Sequence, residues 1–421
     1  MIQTIQLTPG VVLRHYPDNR FKTAVLSIQF QRPLCREEAA LNALLSSVLL
    51  RGTAKNPDMR AITARLDGLY GATISPLMRR IGDRQTIGLF LSCLEDRFAL
   101  PGDQVLAPSL RLVREILLEP KLVQGSFDPE FVESEKKNLI ATIESERNDK
   151  RAYSMSRLLR ILCREDTFGV PRLGEAEDVT KITAENLFNH YQTILKTSPI
   201  EIFYVGSAQI QTVAEALLPL LNRLERNAAP LEPQTPFHPC EKSDVVETMD
   251  VTQGKLCMGF VTPILNRSRE FAAMQLLNVI YGSGMTSKLF MNVREKMSLC
   301  YSIGSGYYGT KGILVVSAGI DFDKEQLTRE EVLRQLNICR EGGISQQELR
   351  SAKEALLSSL RSTHDSPGAI EGYYATAALS GLIFSHDAYM EAVENATVED
   401  VVACSNSLEL HTTYFLKGGS Q

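Results

Sequence analysis

The sequence predicts an α+β fold of two homologous α/β sandwich domains, each a mostly antiparallel sheet with helices packed on one face. Three observations carry this expectation. First, the chain repeats itself. Arg36-Glu-Glu-Ala-Ala-Leu-Asn-Ala-Leu-Leu is echoed by Arg269-Glu-Phe-Ala-Ala-Met-Gln-Leu-Leu-Asn, and Leu69-Tyr-Gly-Ala-Thr-Ile-Ser by Leu299-Cys-Tyr-Ser-Ile-Gly-Ser. The two offsets differ by only a few residues, so a single duplication of a domain of roughly 200 residues explains both. Second, strand and helix patterns follow the same order in each half. Third, the stretch from Arg226 carries Pro230, Pro233, Pro236 and Pro239 with little periodicity, the composition of an extended, semi-rigid linker. The expected organisation is therefore 1–225, a linker at 226–240, and 241–421.

Each half begins with strands. Met1 to Leu7 alternates polar and apolar residues, and Val11–His15 and Ala24–Gln31 follow; Lys255–Thr262 opens the second half. Two helices come next, over about 36–50 and 58–69, then over about 270–281 and 286–297. A β-ribbon succeeds them, Thr73–Leu77 with Gln85–Cys93 and later Cys300–Tyr307 with Gly312–Ile320. Long helices close each half. The first starts at Asp128-Pro129-Glu130, with aspartate as N-cap and proline at the first helical position. Capping boxes are expected at Thr328/Glu331 and Ser345/Glu348, the second reinforced by Ile344 against Leu349.

Composition excludes several classes. Apolar residues at 44% and charged residues at 23% are ordinary for a globular protein, and the net charge of -5 leaves no basic footprint for nucleic acid or anionic lipid. Apolar runs are too short for a transmembrane helix, and the N-terminus lacks a leader pattern, so a cytoplasmic protein without a membrane partner is expected. The eight cysteines are scattered with no Cys-x-x-Cys, which points to reduced, buried thiols. Gly304-Ser-Gly306-Tyr-Tyr-Gly309 matches G-x-G-x-x-G, but a strand rather than a helix follows, so these glycines read as part of a hairpin. No two of the six histidines stand four apart on a helix beside a glutamate, so no local zinc-hydrolase motif exists.

The segment most open to a chemical reading is Ser287-Lys-Leu-Phe-Met-Asn-Val-Arg294-Glu-Lys-Met-Ser-Leu-Cys-Tyr301-Ser. It carries one cation on a helix-like run and one phenol on a strand-like run. The pair could grip a peptide carbonyl and donate to a developing oxyanion, or be a surface arginine and a half-buried strand tyrosine. Upstream, Gly282-Ser-Gly284 ends one helix and begins the next, with close backbone access for a peptide as the functional alternative.

Those residues resemble a known family. Gly282-Ser-Gly-Met-Thr-Ser-Lys-Leu-Phe-Met-Asn-Val-Arg294 through Tyr301-Ser is similar to the C-terminal-domain segment of the insulinase-like metallopeptidases, which include pitrilysin and the mitochondrial processing peptidases. Gly169-Val-Pro-Arg-Leu-Gly-Glu-Ala and the strand Ile200-Glu-Ile-Phe-Tyr-Val-Gly206 add support, and the likeness spans nearly the whole chain. In that family the N-terminal domain carries H-x-x-E-H followed by Gly-Thr. Here Gly52-Thr53 is present, but Ala43 and Ser47 stand at the zinc histidines and Ser46 at the general base. The third ligand is a glutamate on a later helix, and Thr142 occupies its place. Alanine cannot bind metal, and hydroxyls are poor zinc ligands. Without metal and base, no activated water and no proton shuttle remain.

The resemblance therefore implies a chain that binds no cofactor and is inactive alone. Some family members are heterodimers in which one subunit carries the zinc motif and the other the Arg/Tyr pair. By that precedent this chain is expected to serve a zinc-bearing sister subunit and a peptide substrate, with Arg294 and Tyr301 as accessory residues and Gly282 and Gly284 beside the substrate. The alternative is a non-enzymatic peptide-binding or scaffolding protein, a homodimer when alone.

Overall fold

The computed structural model describes residues 2–221, 225–232, 234–238, 240–383 and 385–419. Two compact units emerge. One comprises Met1–Glu144, Val170–Pro233 and Thr363–Ala377; the other comprises Ser145–Gly169, Gln234–Ser362 and Ala378–Gln421. Two short segments thus cross the boundary expected at 226–240, each joining the unit formed mainly by the other half of the chain.

The strands, in chain order, are β1 (Gln3–Thr8), β2 (Val11–Pro17), β3 (Thr23–Pro33), β4 (Thr73–Ile81), β5 (Arg84–Leu94), the short hairpin β6 (Leu122–Val123) and β7 (Ser126–Phe127), and β8 (Ile200–Gly206). In the second half they are β9 (Ser243–Met249), β10 (Gly254–Val261), β11 (Cys300–Tyr308), β12 (Ile313–Ile320) and β13 (Glu409–Gly418). The first unit's sheet runs β1-β2-β8-β3-β5-β4, and the second unit's, read from its other edge, runs β9-β13-β10-β12-β11. Within each sheet one neighbouring pair is parallel, β2 with β8 and β9 with β13; the remaining described pairs are antiparallel. With β9, β13, β10, β12 and β11 set against β2, β8, β3, β5 and β4, the topologies coincide, parallel pair included. The duplication read from two short echoes extends to every strand of the two large sheets but the edge strand β1.

In the first unit, Leu26, Ile28 and Phe30 of β3 point to one face and join a core with the helices Arg36–Leu49, Leu106–Leu118 and Ala184–Thr197. Alternation sends Val25, Ser27 and Gln29 to the other face. There the helix Pro367–Ser380 supplies Ile370 against Val25 and Val205. It also supplies Glu371, whose fully buried carboxylate accepts from Ser27 Oγ (2.5 Å), Gln29 Nε2 (3.1 Å) and Arg79 (2.6 and 3.1 Å). The second unit repeats the device: the helix Lys150–Leu162 sets Leu158, Leu159 and Leu162 against Cys257, Val315 and Tyr414. Glu247 of β9 accepts there from Tyr153 (2.6 Å), Arg157 (3.0 Å) and Tyr414 (3.0 Å). Each sheet thus carries one helix on its second face beyond the single helical layer expected.

Several local expectations hold. Asp128 Oδ1 accepts from the Glu130 amide at 3.0 Å. Ser345 and Glu348 form a reciprocal capping box at 3.1 and 2.8 Å. The glycines from Gly304 lie on β11 and its turn into β12. The eight cysteines are free thiols, six of them buried. Others differ. Thr328 caps nothing: the helix begins at Glu325 after the 3₁₀ turn Phe322–Lys324, placing Thr328 buried in its interior, while Glu331 pairs with Arg334 and Gln335. The helix expected over 270–281 is α-helical only for Phe271–Asn278 and continues as a π-helix, Val279–Ser283; the next, Leu289–Lys296, is π-helical throughout. No described helix is long and apolar enough to cross a membrane.

Candidate functional site

The residues at the degenerate zinc motif all lie in the first unit. Ala43, Ser46 and Ser47 sit on the helix Arg36–Leu49, and Thr142 on the helix Pro129–Asn148. Arg51, just past the first helix, pairs with Glu135 of the second at 3.1 Å and lies over the Phe131 ring. Ser46 is only 3% exposed and lines an apolar crevice with Phe30, Leu49, Ile87, Leu117 and Tyr191. A base carboxylate would be costly in that setting. Thr142 is exposed, and its hydroxyl donates to the Asn138 carbonyl at 2.9 Å, within its own helix. An alanine, two serines and a back-bonded threonine do not fit zinc. Among the described residues no group of three His, Cys, Asp or Glu side chains could hold a metal ion.

Beside Ala43, Asn42 instead anchors a buried polar chain. His190 Nε2 meets Asn42 Oδ1 at 2.7 Å, and Asn42 Nδ2 donates to Gln85 Oε1 at 2.8 Å. Gln85 Nε2 continues to the Arg172 carbonyl at 2.8 Å. Burial pushes the His190 imidazole down to about 4, so the ring is neutral at pH 7.

Arg294 and Tyr301 belong to the second unit, and the backbone that carries them is irregular at three points. Arg294 lies on the π-helix Leu289–Lys296, where Met297 N–H reaches back to the Asn292 carbonyl at 3.0 Å. Ser298, in the turn that follows, has φ of +50°, a conformation uncommon outside glycine. Tyr301 is the extra residue of a β-bulge: Cys300 pairs with Ile320 and Ser302 with Gly319, leaving Tyr301 without a ladder partner. The counterpart pairing of β4 with β5 shows no such shift. Bulges and π-turns cost ladder hydrogen bonds and recur where a side chain must be re-aimed. Here the bulge breaks the alternation, so Tyr301 and Ser302 are both exposed, Tyr301 at 62%.

The guanidinium of Arg294 stacks over Phe290 at 4.6 Å and lies 3.6 Å from Glu295. The hydroxyl of Tyr301 donates to Asp321 Oδ1 at 2.9 Å, and this contact raises the phenol above its ordinary value. Asp321 follows the last residue of β12 and also pairs with Lys324 at 3.0 Å. Sequence spacing gave no hint of Asp321, because only the bulge sets which residue faces the end of β12. Gly282 and Gly284 flank Ser283, where the first π-helix ends. A Cβ on Gly282 would lie 2.6 Å from Ser305 Oγ, so close packing against β11 favours glycine at that position.

Comparison with known proteins places these features in a family. The family described as "Peptidase M16 inactive domain" matches residues 181–356. The chain is 30% identical over 410 residues to the "Probable inactive metalloprotease YmfF" of Bacillus subtilis, covering 97% of this chain and 96% of that protein. It is 33% identical over 113 residues to the "Uncharacterized zinc protease YmxG" of the same organism, 26% of this chain and 27% of that one. A conserved protein of Enterococcus faecalis shares the fold with a TM-score of 0.92 at 26% identity, over 100% of this chain and 99% of that chain. The chain belongs to the M16 (insulinase-like) peptidase family, as a member that lacks the zinc motif.

Proposed function

We propose that this chain is the zinc-free, non-catalytic subunit of a heterodimeric insulinase-like metallopeptidase. It supplies Arg294 and Tyr301 to a peptide held at the zinc of a sister subunit. One asymmetry carries the reading. The positions that would hold metal and base are Ala43, Ser46, Ser47 and Thr142, whereas the segment from Arg294 to Tyr301 keeps a π-helix, a left-handed serine and a bulge. Backbone irregularities that cost regular hydrogen bonds cluster at functional sites, and three in one short segment support a task for Arg294 and Tyr301. The occurrence in one bacterium of relatives named as an inactive metalloprotease and as a zinc protease supports a paired arrangement.

In this role Arg294 grips a substrate carbonyl through its planar fork. Tyr301 donates to the tetrahedral oxyanion formed when zinc-bound water attacks in the partner. Gly282 and Gly284 hold the nearby backbone clear of the peptide, and this chain itself binds no metal. The test is reconstitution with a family member that carries the H-x-x-E-H motif, sought in the same genome, followed by size-exclusion chromatography and cleavage of fluorescein-labelled casein. Co-elution, with cleavage in the mixture and none by this chain alone, is the expected result. Separate elution of a homodimer that binds casein uncleaved contradicts it and favours a peptide-binding scaffold.

A further inference from the structure

Tyr301 cannot serve an oxyanion in the arrangement described above. A phenol has one proton, and that proton is directed at Asp321 Oδ1, 2.9 Å away. An oxyanion brought to the same oxygen would meet lone pairs. Lys324 fixes this state from two sides. Its ammonium lies 3.0 Å from Asp321 Oδ2 and donates to the Ser298 carbonyl at 3.3 Å. One cation therefore ties the residue after β12 to the left-handed turn that leads into the bulge.

We infer that Asp321 is a latch on Tyr301, a positioning residue that withholds the phenolic proton until the oxyanion forming on a bound peptide displaces it, with Lys324 holding the aspartate in place. This rests on the proposed role of Tyr301 toward the tetrahedral oxyanion. The surroundings allow the latch to open. Tyr301 is 62% exposed, and the Asp321 and Lys324 side chains are 41% and 36% exposed, so water competes for each contact and the bond is a weak one. The charged groups near Tyr301 are Asp321 and Lys324; Asp321 raises the phenol and Lys324 lowers it, the aspartate prevailing. Asp321 itself is held below the usual carboxylate range by Lys324 and by Tyr301, so it stays ionised and remains the stronger acceptor near neutrality. Nothing covalent changes when the latch opens. The O–H rotates from a carboxylate to an oxyanion, a like-for-like exchange of charged acceptors that uses no further reactant.

The latch makes a directional statement that a purely structural aspartate would not: removing it should help turnover. In the reconstituted complex with fluorescein-labelled casein, Asp321→Ala is expected to raise kcat about threefold, the scale of one exposed hydrogen bond to a charged group, with KM unchanged. The double variant Tyr301→Phe/Asp321→Ala should match Tyr301→Phe alone. In this chain by itself, tyrosines labelled with ¹³C at Cζ report each phenol; the Tyr301 signal is identified by its loss in Tyr301→Phe. Its titration midpoint should fall in Asp321→Ala. An unchanged midpoint overturns the latch whatever the activity, as does a lower kcat in Asp321→Ala when Tyr301→Phe is also impaired. If Tyr301→Phe leaves turnover intact, the proposed role of Tyr301 fails instead, and the phenol titration alone decides whether Asp321 holds the proton.

Discussion

Arg79→Met tests whether the ion pair beneath Pro367–Ser380 fastens that helix to the first unit's sheet. The Glu371 carboxylate is fully buried, and Arg79 supplies two of its four hydrogen bonds along with the only counter-charge these contacts provide. Methionine keeps the aliphatic bulk but leaves the carboxylate with Ser27 and Gln29 alone. Breaking a buried pair by removing one partner costs about 3–5 kcal/mol. Arg79 retains 26% side-chain exposure, so water compensates in part and the low end, about 3 kcal/mol, applies. For a unit of this size that loss lowers Tm by roughly 6–12 °C. Glu371→Gln should cost less, about 1–2 kcal/mol, because the amide oxygen still accepts from Ser27 and Arg79 keeps contact with solvent. Urea unfolding of the two single variants and the double variant yields the coupling energy. Single effects that add to within 0.5 kcal/mol, the usual limit for independent sites, or an Arg79→Met cost below about 1 kcal/mol, would refute the assignment.

Two further outcomes follow from the same contacts. His190 stays neutral down to about pH 4, whereas a free imidazole titrates near 6.5. Its contribution is complete above pH 6.5 and is lost as pH falls toward 4, because only the unfolded chain takes up the proton in that window; the swing is about 3 kcal/mol. His190→Gln should therefore flatten the decline in stability between pH 6.5 and 4, and a decline as steep as in wild type would show that burial does not hold the ring neutral. Gly282→Ala places a methyl 2.6 Å from Ser305 Oγ and 2.9 Å from Leu289, an overpacking cost of about 1–3 kcal/mol; Gly306→Ala, with nothing within 4 Å, serves as the control. Equal melting temperatures for the two would refute the close-packing account of Gly282.

The paired sandwiches were legible because strand alternation and the helical repeat are local signals, and two echoes set at nearly one offset survive divergence. β13 was not read as a strand, because its interior carries His411, Thr412 and Thr413, polar residues whose burial depends on tertiary partners. The exchanged helices were equally hidden: nothing in Tyr153, Arg157 or Glu371 says which sheet will cover it. At the candidate site the residue types could be read directly: Ala43, Ser46, Ser47 and Thr142 are a set that does not fit zinc. The geometry could not be read. A bulge shifts register by one residue with no compositional mark, so neither the re-aiming of Tyr301 nor its bond to Asp321 had a sequence signal. The two π-helices likewise sit on patterns that periodicity assigns to ordinary α-helix.

The central claim is that this chain contributes half of an active site whose zinc lies in another polypeptide. Its most direct test is kcat for casein cleavage by the complex with the zinc-bearing sister, measured with wild-type chain and with Tyr301→Phe. The account predicts a loss of about 10²-fold in kcat, the scale of one missing oxyanion donor, with KM and complex formation preserved. A complex that forms normally and cleaves casein at the wild-type rate with Tyr301→Phe would contradict it.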